Sequence, residues 1–314
     1  MQLPPEFIST IMNTFGEDGE SLISNLPSLI DETSLRWQLR DVEPVPLLSF
    51  NFVAFAKHGD DDLVLKIGVP RDELTSEISA LRLFHGEGAC RLIDADEERG
   101  FLLLERLRPG EMLVTLKDDE EATRIAAQVM QKIWRPMESA SLLAEARKQA
   151  SGLQSFIRLS DWFDGLKRLR SMFNGGTGPL TRKLVERAER SAKDFLAENH
   201  MPVLMHGDFH HFNILSSERG WLIIDPKGVI GPACYEVGPL LINPWSDLIN
   251  KKDYRGITRR RIDILHERLG FERERIREWG VAHAVLSAWW GIEDNTGWDY
   301  ALAFAEMIAD LNIK

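Results

Sequence analysis

Residues 206–213 read His-Gly-Asp-Phe-His-His-Phe-Asn. This stretch places three histidines, one carboxylate and one amide within eight residues, directly after the short apolar run 203–205. Such a stretch is compatible with a metal site, with a histidine-rich turn, or with a site that needs Asp208 and Asn213 five residues apart. The residues that follow it distinguish these possibilities.

A β-hairpin is predicted immediately after this stretch. Two short apolar runs, 214–215 and 221–224, flank a polar segment that ends in glycine, which is the pattern of two paired strands. If the runs pair, the chain returns so that Asp225 lies beside Asn213. Asp208, Asn213 and Asp225 would then converge on one point.

This predicted group offers two carboxylates and an amide oxygen, without a thiolate. Magnesium accepts such oxygen ligands while it keeps waters and substrate phosphates in its shell. The spacing also matches a phosphotransfer arrangement, in which Asp208 accepts the proton of an acceptor hydroxyl while Asn213 and Asp225 hold magnesium on the phosphates. The pattern therefore favours a kinase-type site.

Two other interpretations remain open. In the first, His206 and Asp208 only stabilise a turn, and Asp225 ends a strand. In the second, His206, Asp208, His210 and His211 form a zinc or two-metal hydrolase site, since imidazole suits such metals. The second is disfavoured because adjacent His210 and His211 would point in different directions.

A lysine inside an apolar run forms a second candidate group. Lys66 lies within residues 63–67, where a charge is costly unless it is paired. Glu77 follows eleven residues later, on the apolar arc of a predicted helix that also carries Leu74, Leu81 and Phe84. A kinase uses such a pair to hold the phosphates of its nucleotide. Alternatively, Lys66 extends to solvent at a strand edge and Glu77 pairs with Arg82.

Hydrophobic periodicity predicts an α+β chain with two lobes. Residues 5–33 are expected to form short amphipathic helices broken by Gly16, Gly19 and Pro27. Antiparallel strands are then expected at 37–39, 47–55 and 63–67, followed by a helix at 70–85. Two further strands are expected at 89–93 and 101–104. Most of the remainder has helical periodicity. We therefore expect an N-terminal helical extension, a small lobe and a larger lobe, at residues 1–34, 35–107 and 108–314.

Charge and composition narrow the class of partner. The 314-residue chain has 38 Lys and Arg against 49 Asp and Glu, a net charge of −11. This balance disfavours nucleic acid and anionic membranes and favours a cationic small molecule. Cys90 and Cys234 are far apart in sequence and predict neither a disulfide framework nor a thiolate metal site. With no signal peptide or membrane-spanning run in the sequence, we expect a soluble, cytoplasmic protein.

Residues 205–231 resemble the aminoglycoside phosphotransferase family almost throughout. The resemblance is closest to the branch of aminoglycoside 6-phosphotransferases, also called streptomycin 6-kinases, and hydroxyurea-resistance kinases. It extends to residues 15–27, 37, 65–66, 77, 243–245 and 287–290, and so covers nearly the whole chain. It implies a protein-kinase-like fold, with a small antiparallel sheet plus a helix in one lobe and a mostly helical second lobe.

The same resemblance implies a small-molecule kinase that transfers the γ-phosphoryl group of ATP to a hydroxyl of an aminoglycoside-like acceptor. Asp208 would be the catalytic base, and Asn213 and Asp225 would be the magnesium ligands. Glu236 is expected to brace the loop of Asp208 rather than to bind a ligand.

In the small lobe, the resemblance makes Lys66 the phosphate-binding lysine and Glu77 its partner. The segment from Glu105 to Leu107 would be the hinge whose backbone meets the adenine.

One segment departs from the family pattern. The family's nucleotide loop usually contains glycine, whereas residues 48–53 contain none. Ser49 and Asn51 can offer a hydroxyl and an amide in its place. The departure supports a second hypothesis, a nucleotide-binding pseudokinase with a regulatory role.

The acceptor is expected to meet residues 287–299, where tryptophans alternate with acids. Glu293 and Asp294 are the candidates for a cationic sugar, together with Asp161. Alternatively, the tryptophans belong to the core and the acids cap a helix. The resemblance also leaves open a metabolite alcohol as acceptor, since kinases of this fold act on choline, homoserine and methylthioribose.

Overall fold

The computed structural model describes residues 3–137, 156–198 and 200–313. An antiparallel sheet with helices against it forms the N-terminal part, and helices dominate the rest. The α+β, two-lobed architecture predicted from the sequence is confirmed.

Two helices, α1 (Pro5–Phe15) and α2 (Glu17–Arg36), precede the first strand. The predicted break at Gly16 is confirmed, since this residue has a φ of 57°. The breaks predicted at Gly19 and Pro27 are wrong, because α2 continues through both. A Cβ atom at Gly19 would lie 2.4 Å from the carbonyl oxygen of Ile11, so this glycine allows α1 and α2 to approach closely. Burial of the apolar face of α2 against the sheet explains why the helix tolerates Pro27.

Five antiparallel strands form the sheet of the small lobe, in the spatial order β1-β2-β3-β5-β4. Its elements in chain order are β1 (Arg40–Pro44), β2 (Phe52–His58), β3 (Asp61–Ile67), α3 (Asp72–Phe84), β4 (Leu92–Asp96) and β5 (Phe101–Glu105). Lys66 on β3 pairs with Val53 on β2 and with Leu102 on β5. Lys66 is therefore on a central strand.

The sheet differs from the prediction at three strand starts. Residues 47–51 form a loop, and β2 begins only at Phe52. Pro46, which cannot donate to a strand ladder, helps to explain that delay. Residues 37–39 precede β1, and β4 begins at Leu92 rather than at residue 89. Ala89 instead bridges to Ile223, in the large lobe.

The large lobe combines helices with short strands, more of them than the periodicity predicted. Its elements are β6 (Pro109–Met112), α4 (Asp119–Ile133), β7 (Arg135–Pro136), β8 (Ile157–Arg158), α5 (Leu159–Phe163), α6 (Gly165–Met172), α7 (Arg182–Ala197), β9 (Val203–Met205), β10 (Ile214–Ser217), β11 (Gly220–Ile223), β12 (Val229–Gly231), α8 (Val237–Ile242), α9 (Trp245–Ile249), α10 (Tyr254–Leu269), α11 (Arg273–Glu293) and α12 (Asp299–Ala309). Short 3₁₀ turns cover Leu113–Thr115, His211–Asn213 and Ala233–Glu236. The unpredicted strands β6, β7, β8 and β12 complete two small sheets, ordered β11-β10-β6 and β7-β9-β12-β8.

The hydrophobic core also shows how the lobes are joined. One cluster lies between α1, α2 and the sheet, and a larger one fills the C-terminal part of the chain. The apolar residues of α3, including Leu74, Ile78 and Phe84, belong to the larger cluster. α3 is therefore packed against the large lobe. Within the described residues, no helix has the length and apolarity needed to cross a bilayer.

Candidate active site

The β10–β11 hairpin brings Asp225 next to the loop of Asp208. Its strands pair antiparallel, with Ile214 opposite Ile223. The backbone N–H of Ile224 donates to the carbonyl of Asn213 at 3.0 Å. Asp225 follows with a φ of 56°, a left-handed conformation that is uncommon outside glycine and is often found at functional sites. The structure thus places Asp225 beside Asn213, as the predicted hairpin requires.

Lys66 connects the two lobes at this point. Its Nζ lies 2.7 and 2.6 Å from the two carboxylate oxygens of Glu77, and it also contacts Oδ1 of Asp225. Lys66 and Glu77 are 4% and 3% exposed. Burial lowers the pKa of Lys66, but the charges of Asp225 and Glu77 raise it above its usual value, so the amine is charged. The alternative pairing of Glu77 with Arg82 does not occur, because Arg82 pairs with Glu97.

A glycine determines how closely α3 approaches the segment after Asp225. Ser76, next to Glu77, donates its hydroxyl to the carbonyl of Gly228 at 2.8 Å. Gly228 has a φ of 64°, and a Cβ there would lie 2.6 Å from the backbone oxygen of Ser76. This contact therefore fixes the spacing between Glu77 and Asp225.

We expect Gly228→Ala to displace α3 and to lower kcat/KM for the nucleotide by about 10- to 100-fold, because small displacements at a reacting site are costly. The measurement is steady-state kinetics at varied nucleotide concentration. Gly59→Ala is the matched control, since Gly59 has a φ of 57° but a Cβ there meets no atom within 4 Å. An equal loss of kcat/KM in both variants would mean that backbone strain, and not the spacing of α3, is responsible.

Glu236 stabilises the backbone of the loop that carries Asp208. This buried carboxylate accepts the backbone N–H groups of His206 and Gly207, both at 2.8 Å. Burial raises the pKa of Glu236 to about 8, although the two donors act in the opposite direction. The structure places Glu236 where the sequence analysis expected a brace.

His206 ties the same loop to the end of the hairpin. Its Nε2 lies 2.9 Å from the carbonyl oxygen of Ile224, and its Nδ1 lies 3.2 Å from the backbone N–H of Asp208. Since the carbonyl can only accept, Nε2 donates and Nδ1 accepts, so the network assigns a neutral imidazole. Burial lowers the pKa of His206 to about 4, which agrees with this assignment. His206 therefore orients both Asp208 and the residue before Asp225.

Asp208 itself is accessible to solvent, with 39% of its side chain exposed. Burial raises the pKa of its carboxyl, but His210, whose Nε2 lies 3.5 Å from Oδ2, and Lys227 lower it by more. The net shift is downward, so Asp208 is a carboxylate at neutral pH. Asn213 donates its Nδ2 to the backbone oxygen of Asp208 at 3.0 Å. The amide nitrogen is thereby engaged, and Oδ1 is the atom left to hold a cation.

Lys227 is a site residue to which the sequence analysis gave no role. Its Nζ lies 3.5 Å from Oδ2 of Asp225, so this carboxylate lies between two lysines. Burial lowers the pKa of Lys227, but Asp225, Glu73 and Asp208 raise it by more. The sequence shows a lysine two residues after Asp225. Its proximity to the Asp225 carboxylate depends on the backbone turn at Asp225, which hydrophobic periodicity does not reveal.

The histidines do not form the metal cage of the hydrolase hypothesis. His206 is engaged with the backbone, and His211 is buried beside a different group of residues. Of these three histidines, His210 is the one whose ring nitrogen lies near the carboxylate of Asp208, at 3.5 Å. Across the described ranges 3–137, 156–198 and 200–313, no three His, Cys, Asp or Glu side chains are arranged to hold a metal ion.

The other predicted nucleotide residues lie around this centre without direct bonds to it. Ser49 is exposed on the loop before β2. Glu105 ends β5 and forms a salt bridge with Arg219 on the hairpin, and Leu107 is buried. The side chains of Glu105 and Leu107 are thus structural, and the backbone N–H of Glu105 donates to the carbonyl of Arg91 at 2.9 Å, so it too is engaged.

The predicted acceptor residues are only partly available. Glu293 forms a bidentate pair with Arg168 at 2.7 and 2.9 Å, and Asp161 is exposed. Asp294 directly follows α11, and its pKa is raised by burial and by the charges of Glu293 and Glu73. A cation would relieve that repulsion.

The tryptophans of this segment have different environments. Trp289 is 1% exposed and belongs to the core, as the alternative reading of this segment proposed. Trp290 is partly buried and lies edge-on to Trp162, with ring centroids 5.2 Å apart. Trp298 is also partly buried, so Trp290 and Trp298 keep surface that could meet a ligand, whereas Trp289 does not.

Known kinases resemble this chain in sequence and in fold. It is 28% identical over 298 residues to streptomycin 6-kinase of Streptomyces glaucescens, covering 94% of this chain and 92% of that protein. It is 29% identical over 303 residues to hydroxyurea phosphotransferase of Kitasatospora aureofaciens, covering 94% and 81%.

Among solved structures, the fold is similar to an aminoglycoside phosphotransferase in ternary complex with ADP and hygromycin B, with a TM-score of 0.60 and 12% identity over 90% of this chain and 98% of that one. It is equally similar to a choline kinase of Streptococcus pneumoniae, with a TM-score of 0.61 and 14% identity over 91% and 98%.

A family model described as aminoglycoside/hydroxyurea antibiotic resistance kinase matches residues 36–295. Because this match extends over most of the chain, the protein belongs to the aminoglycoside/hydroxyurea antibiotic resistance kinase family.

Proposed function

We propose that this protein transfers the γ-phosphoryl group of ATP to a hydroxyl of an aminoglycoside-like acceptor, in the manner of a streptomycin 6-kinase. Membership of the family makes the chain a phosphotransferase with an alcohol group as acceptor. The contact of Lys66 with both Glu77 and Asp225 is the observation that supports nucleotide chemistry at this site. These three residues come from both lobes, so the phosphates would lie between the lobes.

In this proposal, Asp208 accepts the proton of the acceptor hydroxyl as its oxygen bonds to the γ-phosphorus. The bond from that phosphorus to the oxygen bridging the β and γ positions breaks, and ADP leaves. The exposed position of Asp208 and its lowered pKa support this role, since the group must be ionised and must reach the acceptor. Lys66, held by Glu77, neutralises phosphate charge.

Asn213 and Asp225 would hold magnesium. The oxygen of the Asn213 amide and the carboxylate of Asp225, 32% exposed, form a hard oxygen set suited to this ion. When bound, magnesium supplies charge neutralisation on the phosphates. Lys66 and Lys227 beside Asp225 balance its charge in the absence of a nucleotide.

A cationic acceptor fits the acidic rim of the same cleft. Burial and the negative charges of Glu293 and of Glu73, on α3, raise the pKa of Asp294, which directly follows α11. The repulsion among Asp294, Glu293 and Glu73 would be relieved by the amino or guanidino groups of an aminoglycoside. Asp161 is a further candidate contact, on an adjacent helix.

The loop at 45–51 favours a second candidate, a nucleotide-binding pseudokinase with a regulatory role. The loop contains no glycine. A Cβ atom added to Gly68 would lie only 2.1 Å from Oδ1 of Asn51. The Asn51 side chain thus lies over the end of β3. Such a loop makes close backbone approach to phosphates harder.

A coupled ADP-release assay tests the function. The acceptors are streptomycin, other aminoglycosides, hydroxyurea and small metabolite alcohols such as choline, each with ATP and magnesium. We expect ADP release that depends on streptomycin, and a phosphorylated product identified by mass spectrometry. Asp208→Asn serves as the blank.

Other outcomes would contradict the proposal. Magnesium-dependent binding of ATP without transfer to any acceptor would favour the pseudokinase. Release with a metabolite alcohol alone would assign the chain a different acceptor.

A further inference from the structure

A cavity lies against the 3₁₀ turn His211–Asn213, which follows the loop of Asp208. It has a volume of about 240 Å³. Its walls come from the turn at 113–115, the start of α4, the α9 region and α10, together with His211. None of the residues proposed for phosphoryl transfer lines it. The cavity is therefore separate from the cleft that holds Lys66 and Asp225.

The imidazole of His211 is buried in this cavity without a partner. His211 is 2% exposed, and neither of its ring nitrogens has a hydrogen-bond partner in the described part of the chain. A buried polar group that lacks a hydrogen-bond partner destabilises the folded protein. Histidine carries at least one N–H donor in either protonation state. A ligand with acceptor atoms in the cavity would satisfy that donor.

The charges around the cavity favour an anion. Arg261 is balanced by Asp119, through bonds of 3.0 and 2.5 Å to its two carboxylate oxygens. Lys117 and Lys251 also line the cavity, and both are exposed at its opening. Neither forms a salt bridge with a side chain that the structure describes, a set that excludes residues 246 and 247. Besides the Arg261–Asp119 pair, the lining thus carries two lysines and no further acid, in a chain whose net charge is −11.

We propose that this cavity binds a small anion that carries a phosphoryl group. Lys117, Lys251 and His211 offer donors from three separate elements, which suits the tetrahedral oxygens of a phosphoryl group better than a planar carboxylate. The volume accommodates a phosphate with a small organic substituent. Because His211 belongs to the turn between Asp208 and Asn213, an anion bound there also contacts the loop that carries the catalytic residues. Inorganic phosphate and a phosphate monoester share this chemistry.

Isothermal titration calorimetry at constant ionic strength tests the proposal, with inorganic phosphate and glycerol phosphate as separate probes. The titrations are made on the full chain, with and without saturating magnesium and a non-hydrolysable ATP analogue, so that phosphate binding in the cleft is recognised. We expect Lys117→Ala and Lys251→Ala each to raise the Kd for phosphate by about five- to tenfold, because each variant loses one charge-assisted contact. Lys252→Ala, an exposed neighbour outside the cavity, is the matched control and should stay within about twofold.

His211→Phe, which fills the cavity and removes the donor, should abolish the binding that persists with the nucleotide analogue. An unchanged Kd in the Lys117→Ala/Lys251→Ala double variant would overturn the proposal, and so would the absence of any phosphate binding outside the cleft. Tighter binding of glycerol phosphate would identify a monoester as the ligand, and equal binding would identify inorganic phosphate. Because the two lysines are exposed, their removal should leave folding intact.

Discussion

Asp208→Asn should lower kcat by about 10²- to 10⁴-fold while nucleotide affinity changes little, because an amide cannot accept the proton of the acceptor hydroxyl. The backbone of Asp208, not its side chain, bonds His206 and Asn213. The substitution therefore leaves the loop geometry and the Asn213 amide in place. The measurements are coupled ADP release for kcat and calorimetric titration of the nucleotide for affinity.

The control for this experiment is Asp194→Asn, which changes an exposed carboxylate on α7 in the same way. It should retain wild-type kcat. If Asp208→Asn kept kcat within about tenfold of wild type, general-base catalysis by Asp208 would be excluded. If it lost nucleotide affinity as strongly as kcat, its role would be in binding.

Local patterns in the sequence were sufficient to predict the central part of the site. The alternation of apolar residues and the polar turn predicted the β10–β11 hairpin, and pairing in that hairpin necessarily places Asp225 beside Asn213. A lysine inside an apolar run and an acid on the apolar face of the next helix indicated a buried pair of Lys66 and Glu77, with a strand-edge position as the alternative that the structure excludes. In both cases a short stretch of chain carries the physical reason.

The features that the sequence analysis missed depend on contacts between distant segments. Pro27 and Gly19 remain inside α2 because packing against α1 and the sheet outweighs local preference. The role of Lys227 depends on the left-handed turn at Asp225, and His211 meets its cavity only when α4, α9 and α10 assemble. Single-segment periodicity contains no information on such contacts.

The packing of α3 links the core of the large lobe to the position of Glu77 in the site. α3 belongs to the small lobe in sequence, yet its apolar face packs into the core of the large lobe. Ser76 and Gly228 fix that contact, and Glu77 lies one residue away from it. Packing in the large lobe therefore positions the partner of Lys66.

Lys66→Met should lower kcat/KM by about 10²- to 10³-fold, the cost of one lost charge-stabilising donor at a phosphoryl-transfer site. The same change should lower the free energy of unfolding by about 3–5 kcal/mol, because it leaves the buried carboxylate of Glu77 without its cation. Loss of activity in this variant alone does not separate catalysis from folding. Lys57→Met, on the exposed end of β2, is the matched control for both measurements.

The double variant Lys66→Met/Glu77→Gln separates the two effects. The neutral amide removes the unpaired buried charge, so we expect chemical denaturation to show that most of the lost stability returns. Activity should not return with it, because the cation proposed to contact the phosphates is still missing. Recovery of kcat/KM in the double variant would mean that Lys66 serves only to neutralise Glu77. Persistent loss in a stably folded double variant would assign the ammonium group itself to phosphoryl transfer.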